Sequence, residues 1–572
     1  MAQPRKQITM KKLTPVYVAD FETRNSQKDV ESSSTSIWLW DVCDIVEYKH
    51  TTGYDMSSFI DYIGKIAPCV IYTHNLKFDG SFIIDYLLKN GYIHTTEKAV
   101  NSNEFGTLIS SEGQFYNIKI CLPSRAKKRK RIVEFRDSSK KIAGTVRQIA
   151  ISYNLPILKG EIDYRAERPD GYIATPEEIA YIHNDTEIVA RVLTNQYEKQ
   201  MTKLTSSGDA MFLYQQIVGT HFRDIFPELP LDVDDFIRES YRGGVCQVAD
   251  KFKSKVINQP VYCYDVNSMY PAQMVQRPLP YGTPRFYKGA YIKNEDYPLF
   301  IQHLYVCCKL KSNHQPTILL KSIFFGAGNY LTDTAGEMFE ITLTCVDLGL
   351  LFEHYEVFDI KYIDGYMFRQ STSLFKRYVE PLYKRKSETQ GAEKQTIKIL
   401  LNSLYGKFAM NPRHRAKIPY LDTEDNTTKY SLTDIEIAKP YYTAVASFIT
   451  AWARKTLFDV IQANIEYFVY CDTDSVHLTR RELKNGIVDD TALGAFKLEK
   501  VYTMSKYLAQ KTYYGIKADG KDLKIAGCPQ QVKDTISFDE FDFGLTRDGK
   551  LRPKKVNGGT LLVDTPFTIH KR

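Results

Sequence analysis

What the chain lacks narrows its class. Ten cysteines are scattered over 572 residues without a C-x-x-C pair, and only Cys307 and Cys308 adjoin. That spacing offers neither a zinc-finger set nor a disulfide framework and suits a reducing compartment. No run of about 18 apolar residues occurs, so no membrane-spanning helix is expected. Met1 to Lys12 is polar and basic, without the apolar core of a secretory signal, and the chain is expected to be soluble and unsecreted. Neither charge dominates: 76 Lys+Arg against 68 Asp+Glu leave +8, which fits a polyanionic partner without requiring one. With 43% hydrophobic and 25% charged residues the composition excludes a disordered chain. The length predicts roughly three or four domains. The 40 tyrosines can stack on bases or sugars while their hydroxyls meet phosphate, although most are expected to pack.

What is present is a recurring arrangement of acids at the ends of apolar strands. Tyr467–Tyr470 leads into Asp472-Thr473-Asp474, and an apolar pair follows the turn. Acids at i and i+2 of an extended chain share a face, repel, and call for a divalent cation unless the turn rotates one away. Alone, Asp-Thr-Asp is an ordinary turn. The same arrangement appears where Val16–Ala19 delivers Asp20 and Glu22, and where Val70–Thr73 leads through a polar turn to Asp79. Asp185 follows the helix start Thr175-Pro176-Glu177-Glu178, with Tyr181 four residues before it on the same helical face. Such a set of hard carboxylates is what two-metal phosphodiester hydrolysis needs. Further along, Val261–Tyr264 carries Asp265 to a strand end. Asp265 and Asp474 can together hold two Mg²⁺ (or Mn²⁺) ions between a 3′-hydroxyl and a nucleoside triphosphate. Lys394, Lys398, Asn402 and Tyr405, spaced four, four and three, share one helical face, with Lys386 two turns earlier. Lysines there can meet a triphosphate while Tyr405 stacks near a base pair. Six bases in Arg125–Arg131 read as a solvated loop or a phosphate contact.

The order Asp-x-Glu, His-Asn-x-x-x-Asp, Tyr-x-x-x-Asp resembles the three exonuclease motifs of DnaQ-type proofreading domains. The series Tyr241-Arg242-Gly243-Gly244, Asp265-Val266-Asn267-Ser268-Met269-Tyr270-Pro271, Lys398 to Gly406, Tyr470 to Ser475 and Lys511-Thr512-Tyr513 resembles family B DNA polymerases, in their protein-primed phage branch. The resemblance runs from about Tyr17 to the C-terminus. It implies an α/β and α+β multidomain chain: an RNase H-like 3′–5′ exonuclease domain followed by a right-hand polymerase domain with two insertions. The expected bounds are residues 1–204 for the exonuclease, 205–276 and 441–540 for the palm, and 374–410 for the fingers. Residues 277–373 would be the insertion that seats the priming protein, 411–440 the processivity and strand-displacement insertion, and 541–572 the thumb.

The resemblance implies metal ligation by Asp20, Glu22, Asp79 and Asp185, with Tyr181 orienting the attacking water and Lys159, of Leu158-Lys159-Gly160, steadying the reaction. In the polymerase it implies metal ligation by Asp265, Val266 and Asp474, with Asp472 shaping the turn. Val266, Tyr270, Lys386, Lys398, Asn402 and Tyr405 would hold the dNTP, Tyr270 excluding a 2′-hydroxyl. DNA would meet Thr23, Tyr72, His74, Asn75, Phe78, Phe82, Ser138, Tyr241, Gly243, Gly244, Lys394, Lys511 and Tyr513. The expected partners are primer-template and single-stranded DNA, dNTPs and a terminal priming protein, with a monomeric chain at work in the cytoplasm of an infected bacterium. Two rivals remain: a nuclease alone, which leaves Lys398, Asn402 and Tyr405 without a task, and a DNA-binding replication protein, which predicts broken acids.

Overall fold

The computed structural model describes residues 14–123, 130–321 and 330–571. Arg125 to Arg129 of the basic run lie outside the described residues. The two bases that follow are spent locally: Lys130 Nζ donates to Val100 O at 3.1 Å and Arg131 Nη1 to Pro123 O at 2.7 Å.

The N-terminal third is built on an eight-stranded mixed sheet. Its third strand, Val16–Thr23, pairs antiparallel with Ile37–Asp44 and parallel with Cys69–Thr73. Valine, isoleucine and tyrosine fill these strands because both sheet faces are covered, which explains the unbroken burial of Cys69–Thr73. On one face lies the Leu76–Lys89 helix and on the other Pro176–Glu198. The latter starts on a capping box in which Thr175 and Glu178 satisfy each other's backbone N–H, with Pro176 in the first turn.

A second, five-stranded sheet has the order Phe496–Tyr502, Val261–Val266, Ser475–Leu478, Phe468–Asp472, Cys246–Val248. It draws strands from segments more than 200 residues apart and is backed by the Thr443–Ala463 helix, most of whose side chains are buried. The Gly391–Phe408 helix packs beside it, while residues 279–371 form a four-stranded antiparallel sheet of their own. Two long ribbons, Lys417–Asp422 with Thr427–Leu432 and Thr546–Val556 with Gly559–Thr568, close onto the N-terminal unit. Thr428 donates to Asp85 at 3.1 Å, and Ser81 and Thr560 hydroxyls meet at 2.9 Å. Gly559, at φ 149°, lies so close to Phe82 that a Cβ would sit 2.4 Å from the ring.

One buried ion pair fastens the loop Tyr241–Gly244 to this frame. Arg454, 1% exposed, grips both Asp347 oxygens at 2.8 and 2.9 Å and donates to the carbonyls of Arg242 and Gly243 at 2.7 and 2.9 Å. Arg454→Met leaves Asp347 charged and two carbonyls bare, so urea unfolding should show a loss of about 3–5 kcal/mol. A loss below about 1 kcal/mol would mean that water replaces the guanidinium.

Candidate active sites

The Asp472–Ser475 turn opposes Asp265 across the five-stranded sheet. Asp265 is in register with Ser475, and Val266 N donates to Asp474 O at 2.8 Å, so the two carboxylate-bearing residues are tied backbone to backbone. Thr473 adopts φ 60°, and its N–H donates to Val245 O at 2.7 Å. That left-handed residue breaks the i, i+2 alternation and sends Asp472 and Asp474 to different partners. Both oxygens of Asp472 accept from Lys511 Nζ at 2.7 Å. Burial and then the neighbouring Asp472 raise Asp474 to about 6. Burial, Asp474 and Glu499 raise Asp265 to about 7 against the opposing Lys398 and Lys500. Glu499, on the adjoining strand Phe496–Tyr502, is a third acid here that sequence reading missed; a lone Glu between two lysines looks like a solvated strand residue.

Crowding accounts for one glycine of the pair, Gly244. A Cβ there would lie 3.1 Å from both Thr473 Cγ2 and the Tyr270 hydroxyl, so the Tyr241–Gly244 segment abuts the acid turn only without a side chain. Gly243 has open space around it. Tyr270 stacks on Tyr405 at 4.1 Å and 25°. Lys394, Lys398 and Asn402 are exposed along one face of their helix. Lys386 donates to Ser268 Oγ at 2.9 Å, and its pKa is lowered by burial and by Lys398 and Lys394 against the opposing Asp265. The Val266 side chain is 1% exposed and its N–H is engaged, which leaves its carbonyl as the group it can offer.

The second acid centre lies on the eight-stranded sheet. Asp20 and Glu22 come from the strand Val16–Thr23, Asp79 from the helix after Cys69–Thr73, and Asp185 from Pro176–Glu198. Burial and then Asp185 raise Asp20 to about 7. Burial and then Asp20 push Glu22 and Asp79 well above the carboxylate range. Asp79 Oδ1 and Asp185 Oδ1 are buried acceptors without hydrogen-bond partners. Lys159 pairs with Asp185 and lies 4.9 Å from the Tyr181 ring. Repelling buried carboxylates with orphaned oxygens are a donor set that fits hard divalent cations.

These shifts carry a sign. Raised folded values mean that the folded chain holds more protons than the unfolded one. Stability without metal should therefore fall as pH rises from the ordinary carboxylate range through about 7. In EDTA the Tm should drop across that window and Mg²⁺ should recover it; a flat Tm would show that the acids are not strained in the folded chain.

Around the second centre, Thr23 and Phe78 are half-buried and Asn75 is exposed, at φ 78°. His74 spends both ring nitrogens, on Ser138 Oγ at 2.9 Å and Gly144 O at 2.8 Å. Four of the expected DNA contacts are buried residues. Tyr72 and Ser138 are 0% exposed, the first bonded to Tyr197 and the second to Thr73 O; Phe82 is packed under Gly559; and Tyr513 sits in a ring cluster with Tyr507, Tyr470 and His477. A cavity of about 710 Å³ adjoins Asn75 and Phe78, and its wall carries Lys77, Lys417, Lys429 and Lys555. Burial, Lys77 and Lys417 lower Lys555 to about 8. No motif marks these four lysines, because they come from three distant segments.

An RNase H-like domain followed by a right-hand polymerase domain with two insertions is the architecture of a DNA polymerase. The structure superposes on that of the phi29 DNA polymerase with primer-template DNA at a TM-score of 0.91 and 38% identity, covering 97% of this chain and all of the other. A family model for DNA polymerase type B, organellar and viral, matches residues 65–492. The DNA polymerase of Bacillus phage phi29 is 39% identical over 97% of this chain and 99% of its own length. That of Bacillus phage B103 is 42% identical over 82% and 85%. The chain belongs to the type B DNA polymerases of organelles and viruses, and it is a DNA polymerase of the phi29 type.

Proposed function

We propose that this polymerase adds nucleotides at Asp265 and Asp474, proofreads 3′–5′ at Asp20, Glu22, Asp79 and Asp185, and starts a linear phage genome from a hydroxyl of a terminal protein. The observation that carries the reading is the pair of separate centres of mutually repelling buried acids. Divalent ions bound there, Mg²⁺ or Mn²⁺ and two per centre, would activate the attacking oxygen and stabilise the leaving one.

The residues supply the rest. Lys386, Lys394 and Lys398 bind the triphosphate, and their crowding is relieved when it arrives. The Tyr270–Tyr405 stack forms the floor under the nascent pair and leaves no room for a 2′-hydroxyl. Lys511 holds Asp472 away from Asp474 and keeps the turn open toward the primer end. In the second centre Tyr181 orients the water, Lys159 fixes Asp185, and Asn75, Phe78 and Thr23 clasp a frayed 3′ end led in along the lysine-lined cavity. The phi29 polymerase, whose structures include complexes with single-stranded DNA and with incoming nucleotides, supports the same occupants here. Residues 277–373 then seat the priming protein, and 411–440 with 541–572 encircle DNA, giving strand displacement by a monomer in the cytoplasm of the infected bacterium.

Incubation of the chain with its phage's terminal protein, template and one labelled dNTP should transfer label covalently to the terminal protein. Label that appears only on DNA primers would overturn protein priming while leaving the polymerase standing.

A further inference from the structure

Beside the second acid centre the sheet carries another polar cluster, built from three elements. Asp41, on Ile37–Asp44, stands opposite Asp20 in the antiparallel register and is 0% exposed. Its Oδ2 accepts from Thr186 Oγ1 at 2.6 Å and lies 2.8 Å from His50 Nδ1. Its Oδ1 faces His183 Nε2 at 3.5 Å, and both atoms are buried without a hydrogen-bond partner. His50, from the edge strand His50–Gly53, stacks on His183 at 4.0 Å and 18°. One donor atom from each of Asp41, His50 and His183 lies within 4.8 Å of the others. Glu187, one turn after His183, places Oε2 3.7 Å from His50 Nε2, while Arg191 holds its Oε1.

A histidinium paired with Asp41 is the plain alternative. It accounts for Oδ2 but leaves Oδ1 and His183 Nε2 facing each other unsatisfied, which is unfavourable for buried polar groups. A tetrahedral ion with bonds of about 2.0–2.1 Å separates its ligands by about 3.4 Å, close to the 3.5 Å gap between Asp41 Oδ1 and His183 Nε2. Two imidazoles with a carboxylate form a borderline donor set, unlike the all-oxygen acid centres, and favour zinc-class ions over Mg²⁺. The side chains of His50, His183 and Glu187 are 15%, 28% and 17% exposed, so an ion can enter and keep a water. Thr186 orients the Asp41 carboxylate from outside the ligand set.

We propose that Asp41, His50 and His183, with water completing the coordination, form a binding site for a zinc-class divalent ion that clamps the Pro176–Glu198 helix to the sheet edge. The ion would tie the helix bearing Tyr181 and Asp185 to strands that carry no catalytic acid, and it takes no part in the chemistry.

The test presents Zn²⁺ alone, and then Co²⁺ as a spectroscopic reporter, to the full-length chain in excess Mg²⁺. One tightly held equivalent is expected, with a rise in Tm and a visible Co²⁺ band typical of low coordination number. His50→Gln and His183→Gln should each weaken binding by about tenfold or more and abolish the band. Asp79→Ala and Asp474→Asn should keep it. Circular dichroism verifies folding, and Asp41→Asn, which keeps the Thr186 hydrogen bond, gives the same test if a histidine variant does not fold. No uptake above Mg²⁺, binding unchanged in the histidine variants, or binding lost in Asp79→Ala would each overturn the assignment.

Discussion

Asp474→Asn should lower primer extension on the order of 10³-fold or more, about 4 kcal/mol of transition-state stabilisation, with the fold intact. Asp474 is the residue that the turn leaves free. Its neighbour Asp472 has both oxygens taken by Lys511, whereas Asp474 is held near Asp265 by the Val266 N–H and repelled by the acids around it. Removing its charge removes half of the pair that an ion would bridge. Asp472→Asn should be the milder change, because it weakens the Lys511 contact without deleting a carboxylate from the Asp265 pair. The measurement is single-turnover extension of a matched primer with saturating dNTPs and Mg²⁺. Extension by Asp474→Asn within about tenfold of the wild type, or Asp472→Asn as the more damaging variant, would reverse the assignment of the two acids.

The sequence was most legible where local geometry and chemistry coincide. An apolar strand ending in an acid recurs at Asp20, Asp265 and Asp472, and all three are strand residues in the structure. The 4-4-3 spacing from Lys394 to Tyr405 lies within one helix, whose face is exposed as far as Asn402. What pattern could not show is what distant segments bring together. Glu499 reaches Asp265 and Asp474 only because Phe496–Tyr502 pairs with Val261–Val266 across more than 200 residues. The Lys511–Asp472 pair, the lysines around Asn75 and Phe78, and the Asp41–His50–His183 cluster are likewise products of packing. Burial is the other property that pattern does not report. Tyr72, Phe82 and Tyr513 sit in or beside motifs, yet their rings are core, since an amphipathic aromatic serves either purpose and only the surrounding chain decides which.

Asp79→Ala should cut degradation of single-stranded DNA by about a hundredfold or more while leaving extension of a matched primer unchanged, because the two centres are built around separate sheets. The same variant should be more stable than the wild type in EDTA above neutral pH. Asp79 is 2% exposed, has one oxygen without a partner, and is pushed well above the carboxylate range by burial and by Asp20, so the folded chain bears its charge at a cost. Alanine removes that cost and leaves only a small cavity. A residue kept for packing would behave in the opposite way, with its removal lowering Tm at every pH. A rise in Tm coupled to loss of hydrolysis is therefore the joint signature of an acid retained for metal-dependent chemistry. A fall in Tm with hydrolysis intact would make Asp79 a structural residue and place the editing centre elsewhere.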